Sequence, residues 1–175
     1  KGVHALNQPF HFDLDFEIDI EILKLGLNKR LPDDIIINDI KIVSDDFHAR
    51  YMVKEKEYMY IVNTGEYNPI ERNYCYQYSK KLDIDLMKDA SSIFIGEHDF
   101  RSFISGEDKR ENSIRKIYDI KIEEIDEKII FTFIGNGFMK YQIRNMVGSL
   151  IEIGNYKKTK DDLIRIMGEK ERRKA

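Results

Sequence analysis

The chain has 175 residues, 42% of them hydrophobic and 35% charged, with a formal net charge of −3. That length suits one domain or two small lobes sharing a core, and the composition is that of a soluble globular protein, which excludes a disordered chain. No apolar run approaches the ~18 residues of a membrane-spanning helix, Lys1–Phe12 lacks the apolar core of a signal peptide, and the one cysteine, Cys75, excludes an internal disulfide and a multi-cysteine zinc site.

In chain order, Val3–Phe12 has strand-like content. Asp13–Glu21 alternates acidic and apolar residues as a strand does, but Ile18, Ile22 and Leu25 fit a helical face. A helix is therefore expected near Asp19–Lys29, ended by Leu31-Pro32. The acidic run lacks the glycine and closing glutamate of an EF-hand loop, and reads as solvated surface. Ile35–Val43 is β-branched and reads as a strand. Asp46–Val62 is the most informative β segment, with Lys56, Tyr58 and Tyr60 on one face and Met59 and Ile61 on the other. Thr64–Asn73 is a loop, Ile84–Ile93 a short helix, Gly96–Phe103 a compact polar and aromatic segment, and Ser105–Asn112 a charged loop.

Ile114–Ile125 and Lys128–Ile134 read as a hairpin turning at Ile125-Asp126-Glu127. Gly135-Asn136-Gly137 separates it from a helix over Met139–Ile153, whose Ile143, Met146, Val147, Leu150 and Ile151 form an apolar stripe. Thr159 is a cap for a last helix, Lys160–Met167. Strands outnumber helices in a mixed order, so the expected class is α+β. No internal repeat or low-complexity segment is present.

Charge is unevenly spread. Gly137–Ala175 holds ten Lys and Arg against five Asp and Glu, a net of +5, so the preceding residues carry −8. That allows a local basic surface for nucleic acid, or simply a solvated basic tail.

Several segments carry residues able to do chemistry. Gly135-Asn136-Gly137 lacks the Lys-Ser/Thr of a phosphate loop and the third glycine of a dinucleotide fingerprint, and reads as a tight turn. Lys140 and Arg144 are four apart, so they share a helix face, and Gly148 extends that face. An arginine fixed there suits a buried carboxylate or a phosphate; the pair also fits an ordinary basic surface. Phe47-His48-Ala49-Arg50 and Lys56-Glu57-Tyr58-Met59-Tyr60 combine cations with aromatics, a mix that suits base stacking beside phosphate, or a plain sheet. His98-Asp99 is either an oriented imidazole for proton transfer or a structural hydrogen-bond unit. The four histidines have no metal-ligand spacing, and Cys75 has no neighbouring base.

The order of these segments resembles the tRNA pseudouridine synthases of the TruA type. Gly2-Val3-His4-Ala5-Leu6-Asn7-Gln8 is similar to the end of the family's R-T-D-x-G-V-H-A-x-x-Q motif, and Asp46-Phe47-His48-Ala49-Arg50-Tyr51 to D-F-H-A-R-F/Y. Lys56, Tyr58 and Tyr60 match K/R-x-Y-x-Y. Phe94–Phe103 resembles F-x-G-x-H-D-F-x-x-F, with Glu97 in place of the usual threonine. Gly137–Gly148 is similar to G-F-L-x-x-M-V-R-x-M-V-G, with Gln142-Ile143 in place of Met-Val.

The resemblance implies the pseudouridine synthase fold, a mixed, mainly antiparallel sheet flanked by helices around a basic cleft. It implies an isomerase converting uridine to pseudouridine in the tRNA anticodon stem-loop, with no metal or organic cofactor. Arg144 matches the residue that pairs with the catalytic aspartate, and Tyr58 the tyrosine that stacks on the target base. Arg50 and Lys140 are the expected phosphate contacts, and Lys56, His48 and His98 are further expected substrate-binding residues. By the same alignment the aspartate falls at the position before Lys1, and a final strand follows Ala175. The 175 residues are therefore expected to be a catalytic-domain portion, inactive alone. The family implies a homodimer with tRNA spanning both subunits and no membrane, and the cysteine usage implies a reducing cytoplasm. The rival readings are a non-catalytic RNA-binding domain and an unrelated α+β metabolic enzyme.

Overall fold

The computed structural model describes residues 3–105 and 112–169, and the chain divides into two units, Lys1–Val53 and Lys54–Ala175. The expected charged loop Ser105–Asn112 lies, apart from its two end residues, outside the described residues.

In the first unit, helix α1 spans Ile20–Asn28. Asp19 caps it, accepting from the Glu21 and Ile22 N–H groups at 2.8 and 3.1 Å. That satisfies two of the amides a helix start leaves orphaned. Pro32, just past the end, prevents continuation. The two expected strands are corrected: neither Val3–Phe12 nor Ile35–Val43 is a strand. A ladder needs a backbone partner, and at Ile37 a side chain takes that place. The Asn28 amide accepts from Ile37 N–H at 2.8 Å and donates to Ile37 O at 3.1 Å. Ile37 is the buried residue of this unit among those described. Near its end, the Phe47–Met52 segment forms a turn, with Tyr51 N–H and Met52 N–H donating to His48 O.

The second unit is built on a five-stranded sheet. Its strands are β1 (Lys56–Asn63), β2 (Tyr76–Gln77), β3 (Gly96–Asp99), β4 (Ile114–Ile125) and β5 (Lys128–Gly135), in the order β2-β1-β5-β4-β3. Only β2 runs parallel to its neighbour. The fold is thus α+β with a mixed, mainly antiparallel sheet. The β4–β5 hairpin turns at Asp126, whose φ of 55° gives the left-handed step that a tight turn requires. The segment Asp46–Glu55, expected as part of a long strand, is turn and coil, and β1 begins at Lys56.

Register decides which face is buried. Val62 pairs with Ile129, Tyr60 with Phe131 and Tyr58 with Phe133, so these six side chains share one face. On β4 the pattern Ile117, Ile120, Ile122 changes phase. The bulge between Ile117 and Asp119 absorbs the extra residue, Tyr118, and turns both sets of isoleucines inward.

Among the described residues three helices complete the unit: α2 (Ile84–Ser91), α3 (Gln142–Gly154) and α4 (Lys160–Glu169). Phe94, Phe100, Phe103, Phe131 and Phe133 are fully buried with Met87, Met146 and Leu150. All five residues of the expected α3 stripe are buried there too. α2 is followed by a 3-10 turn, Ser92–Phe94. Thr159 and Asp162 cap α4 reciprocally. Asp162 accepts from the Thr159 N–H at 2.9 Å, and the Thr159 hydroxyl accepts from the Asp162 N–H at 3.2 Å.

α3 starts three residues later than its periodicity implies. Tyr141 occupies the left-handed region (φ 66°, ψ 0°) immediately before it. The Gln142 side chain folds back to accept from Met139 N–H at 2.9 Å, so Met139–Tyr141 forms a hydrogen-bonded turn in place of a first helical turn.

Candidate active site

α3 and β1 define a cavity of about 490 Å³ in the second unit. Arg144, Gly148 and Ser149 line it from α3, Tyr60 from β1, and Tyr76 and Tyr78 from the β2 segment. Its charged residues are Lys80, Arg144, Lys157 and Glu152, the last paired with Lys158 at 2.8 Å. Gly148 has open space around its Cα, which leaves the helix backbone approachable at that point.

Arg144 projects outward from α3 because the neighbouring Ile143, Met146 and Val147 take the inward positions. Its guanidinium lies 5.8 Å from the centre of the Tyr141 ring. Among the described residues it makes no ion pair or hydrogen bond. An arginine so held is a ready partner for an anion. Its charge also reaches Tyr60: burial pushes the Tyr60 hydroxyl above the ordinary phenol range, and the Arg144 charge opposes that rise.

Tyr58 stands on the same face of β1 as Tyr60, is 37% exposed, and packs edge-on against Phe138 with centroids 5.2 Å apart. Its ring is therefore braced on one side and open on another. Tyr60, not Tyr58, lines the cavity with Arg144. Lys56 begins the same strand and is half-buried. Lys140 precedes α3 and is exposed, with its ammonium 5.3 Å from the Tyr141 ring centre.

His98, of the same unit, is not among the residues that line this cavity. His98 is on β3, three strand spacings or ~14 Å from β1. Its Nε2–H donates to Ile95 O at 2.9 Å, and its ring meets Phe100 edge-on at 6.0 Å. Asp99 accepts instead from the Ser113 hydroxyl and the Arg101 N–H. The two residues thus tie β3 to its surroundings separately. His48 and Arg50 belong to the first unit. His48 Nδ1 accepts from Arg50 N–H at 3.1 Å, and its ring rests 4.2 Å from that of Tyr51. That bond leaves the histidine organising its own turn, while Arg50 stacks 5.7 Å over Tyr51.

Sequence reasoning missed Tyr76, Tyr78, Lys80 and Lys157. Their signal was the Tyr-rich run before Lys80-Lys81 and the Lys157-Lys158 pair, neither of which has a helical or strand period to mark it. Among the described residues there is no cluster of three His, Cys, Asp or Glu able to hold a metal ion. Nor is any helix there long and apolar enough to cross a membrane.

A family model described as tRNA pseudouridine synthase matches residues 90–175, the segment that carries α3 and Arg144. The chain belongs to the tRNA pseudouridine synthase family. It is 44% identical over 177 residues to tRNA pseudouridine synthase A of Leuconostoc mesenteroides subsp. mesenteroides, covering 99% of this chain and 69% of that relative. The protein of that name from Limosilactobacillus fermentum is 40% identical, covering 98% of this chain and 67% of its own length. The one from Streptococcus agalactiae serotype Ia is 46% identical, over 88% of this chain and 61% of the relative.

Proposed function

We propose that the protein carrying this chain isomerises uridine to pseudouridine in tRNA, at the anticodon stem-loop. The observation that carries the reading is Arg144: a guanidinium without an ionic partner among the described residues, at a cavity walled by tyrosines, on the segment the family match covers. Three cations against one carboxylate in the lining suit an RNA backbone.

The reaction needs the uridine out of the stack, at an unstacking cost of a few kcal/mol. Tyr58 supplies a face on which the extruded base stacks. The attacking carboxylate in this reading is the aspartate that the family's Arg-Thr-Asp motif leads one to expect at the position before Lys1. Arg144 pairs with it and keeps it ionised. The carboxylate bonds to the uridine as the glycosidic N1–C1′ bond breaks; the base then turns and rejoins the sugar through carbon 5, the carboxylate is released, carbon 5 gives up its proton and N1 takes one up. Lys140, Arg50 and Lys56 contact phosphates. A carboxylate and a guanidinium suffice for these steps, so no cofactor is required. A homodimer spanned by one tRNA, working in the cytoplasm, completes the reading.

The test is tritium release from tRNA labelled at uridine carbon 5, using the full-length protein without added metal. Release that depends on the aspartate before Lys1 is expected. A full-length protein that binds tRNA tightly but releases no tritium overturns the catalytic reading in favour of a binding domain.

A further inference from the structure

Tyr141 is the one residue of the α3 approach that is both conformationally costly and half open to solvent. Its φ of 66° lies in the region that favours glycine, and a bulky residue there is disfavoured. The surroundings nonetheless fix it. Ser105 N–H donates to Lys140 O at 2.9 Å, Asn145 N–H to Tyr141 O at 3.0 Å, and Met139 N–H to the Gln142 side chain at 2.9 Å. The backbone alone would be served better by glycine, and the ring is not spent on the core, being 41% exposed. Its contacts are two cations, Lys140 at 5.3 Å and Arg144 at 5.8 Å. Lys140 and Arg144 repel each other. One ring in contact with both lowers the cost of bringing two positive charges to one place.

We infer that Tyr141 is a positioning residue for the reaction: the left-handed backbone aims its ring at Arg144 and fixes the guanidinium at the cavity, with Lys140 gathered beside it. The inference rests on the proposed role of Arg144. An arginine left to its own rotamers spends most of its time away from the carboxylate it must pair with. The ring restricts it before substrate arrives. The left-handed step is what lets residue 141 serve a side chain one turn along the helix while leaving the first helical hydrogen bond to Asn145 intact.

The experiment compares Tyr141→Phe, Tyr141→Leu and Tyr141→Gly with wild type in the full-length protein, reading tritium release, thermal stability and the Arg144 side-chain Nε–H resonance. Tyr141→Phe keeps the ring and is expected to keep wild-type kcat and resonance position. Tyr141→Leu removes the ring and is expected to lower kcat about tenfold with KM little changed, and to shift the resonance. Tyr141→Gly relieves the backbone, so it is expected to match or exceed wild-type stability while losing as much kcat as Tyr141→Leu. Loss of activity that tracks loss of stability across the three variants, or an Arg144 resonance unmoved in Tyr141→Leu, overturns the positioning role. The resonance decides the Tyr141–Arg144 contact whether or not the protein acts on tRNA. A silent wild-type assay therefore counts against the proposed function and leaves the contact decided by its own measurement.

Discussion

Tyr60 on β1 and Arg144 on α3 line the same cavity, and the arginine's charge holds down a phenol that burial pushes up. Strand and helix come from positions 84 residues apart, so this electrostatic link reports the folded arrangement of the unit. Replacing Arg144 with Ala removes the opposing influence, and the Tyr60 hydroxyl is expected to titrate at still higher pH. A carbon-13 titration of labelled tyrosine reads this directly. An unchanged Tyr60 titration in Arg144→Ala means the two groups do not sense each other.

The same substitution is expected to abolish most isomerase activity in the full-length protein. Without the guanidinium beside it the aspartate loses the charge that keeps it ionised and more readily takes up a proton, which ends its nucleophilicity. Arg144→Lys restores the charge but not the planar fork, and is expected to retain part of the rate. Tritium release from carbon-5-labelled tRNA ranks the three proteins. Full activity in Arg144→Ala removes the role assigned to it.

Lys140 stands exposed beside the cavity. As a phosphate contact it contributes to affinity by releasing a counterion. Lys140→Ala is then expected to weaken tRNA binding and reduce the slope of log affinity against log salt by about 1. Filter binding across a salt series measures both. A wild-type affinity indifferent to salt argues against RNA as the partner.

Gly135 ends β5 where the chain leaves for α3. A Cβ there would stand 2.7 Å from Lys116 O and 3.2 Å from the Phe138 ring. The carbonyl belongs to a paired strand and cannot yield cheaply. Gly135→Ala is expected to cost about 1–3 kcal/mol in urea unfolding, as overpacking does. Because Phe138 braces Tyr58, the substitution is also expected to impair the site more than its stability loss alone accounts for.

Much of the second unit was legible in the sequence. The β4–β5 hairpin and α3's buried stripe follow from periods that burial imposes, and Thr159 announces its helix by capping chemistry. The segments misread were those whose outcome depends on a partner. Ile35–Val43 has the residues of a strand, yet its backbone at Ile37 is taken by the Asn28 amide. β2 is two residues long and defined only by lying beside Val62 and Asn63. The left-handed Tyr141 has no sequence mark, since glycine is the residue that usually announces such a turn. For the site, Arg144 was found from its helical spacing and its motif. Tyr76, Tyr78, Lys80 and Lys157 were not, because folding alone brings loop residues to one cavity wall.

The β4–β5 hairpin also bears on the order in which the molecule assembles. Its strands are joined by two residues and pair along eight positions, so closing it costs little chain entropy. β1 must arrive across a separation of about sixty residues, at a higher entropic cost. Early structure would therefore gather at the hairpin and run directly through Gly135 into the turn that aims Arg144. The chain's chemistry is thus attached to the locally paired part of the sheet, and the wall facing it to the part that pairs at long range.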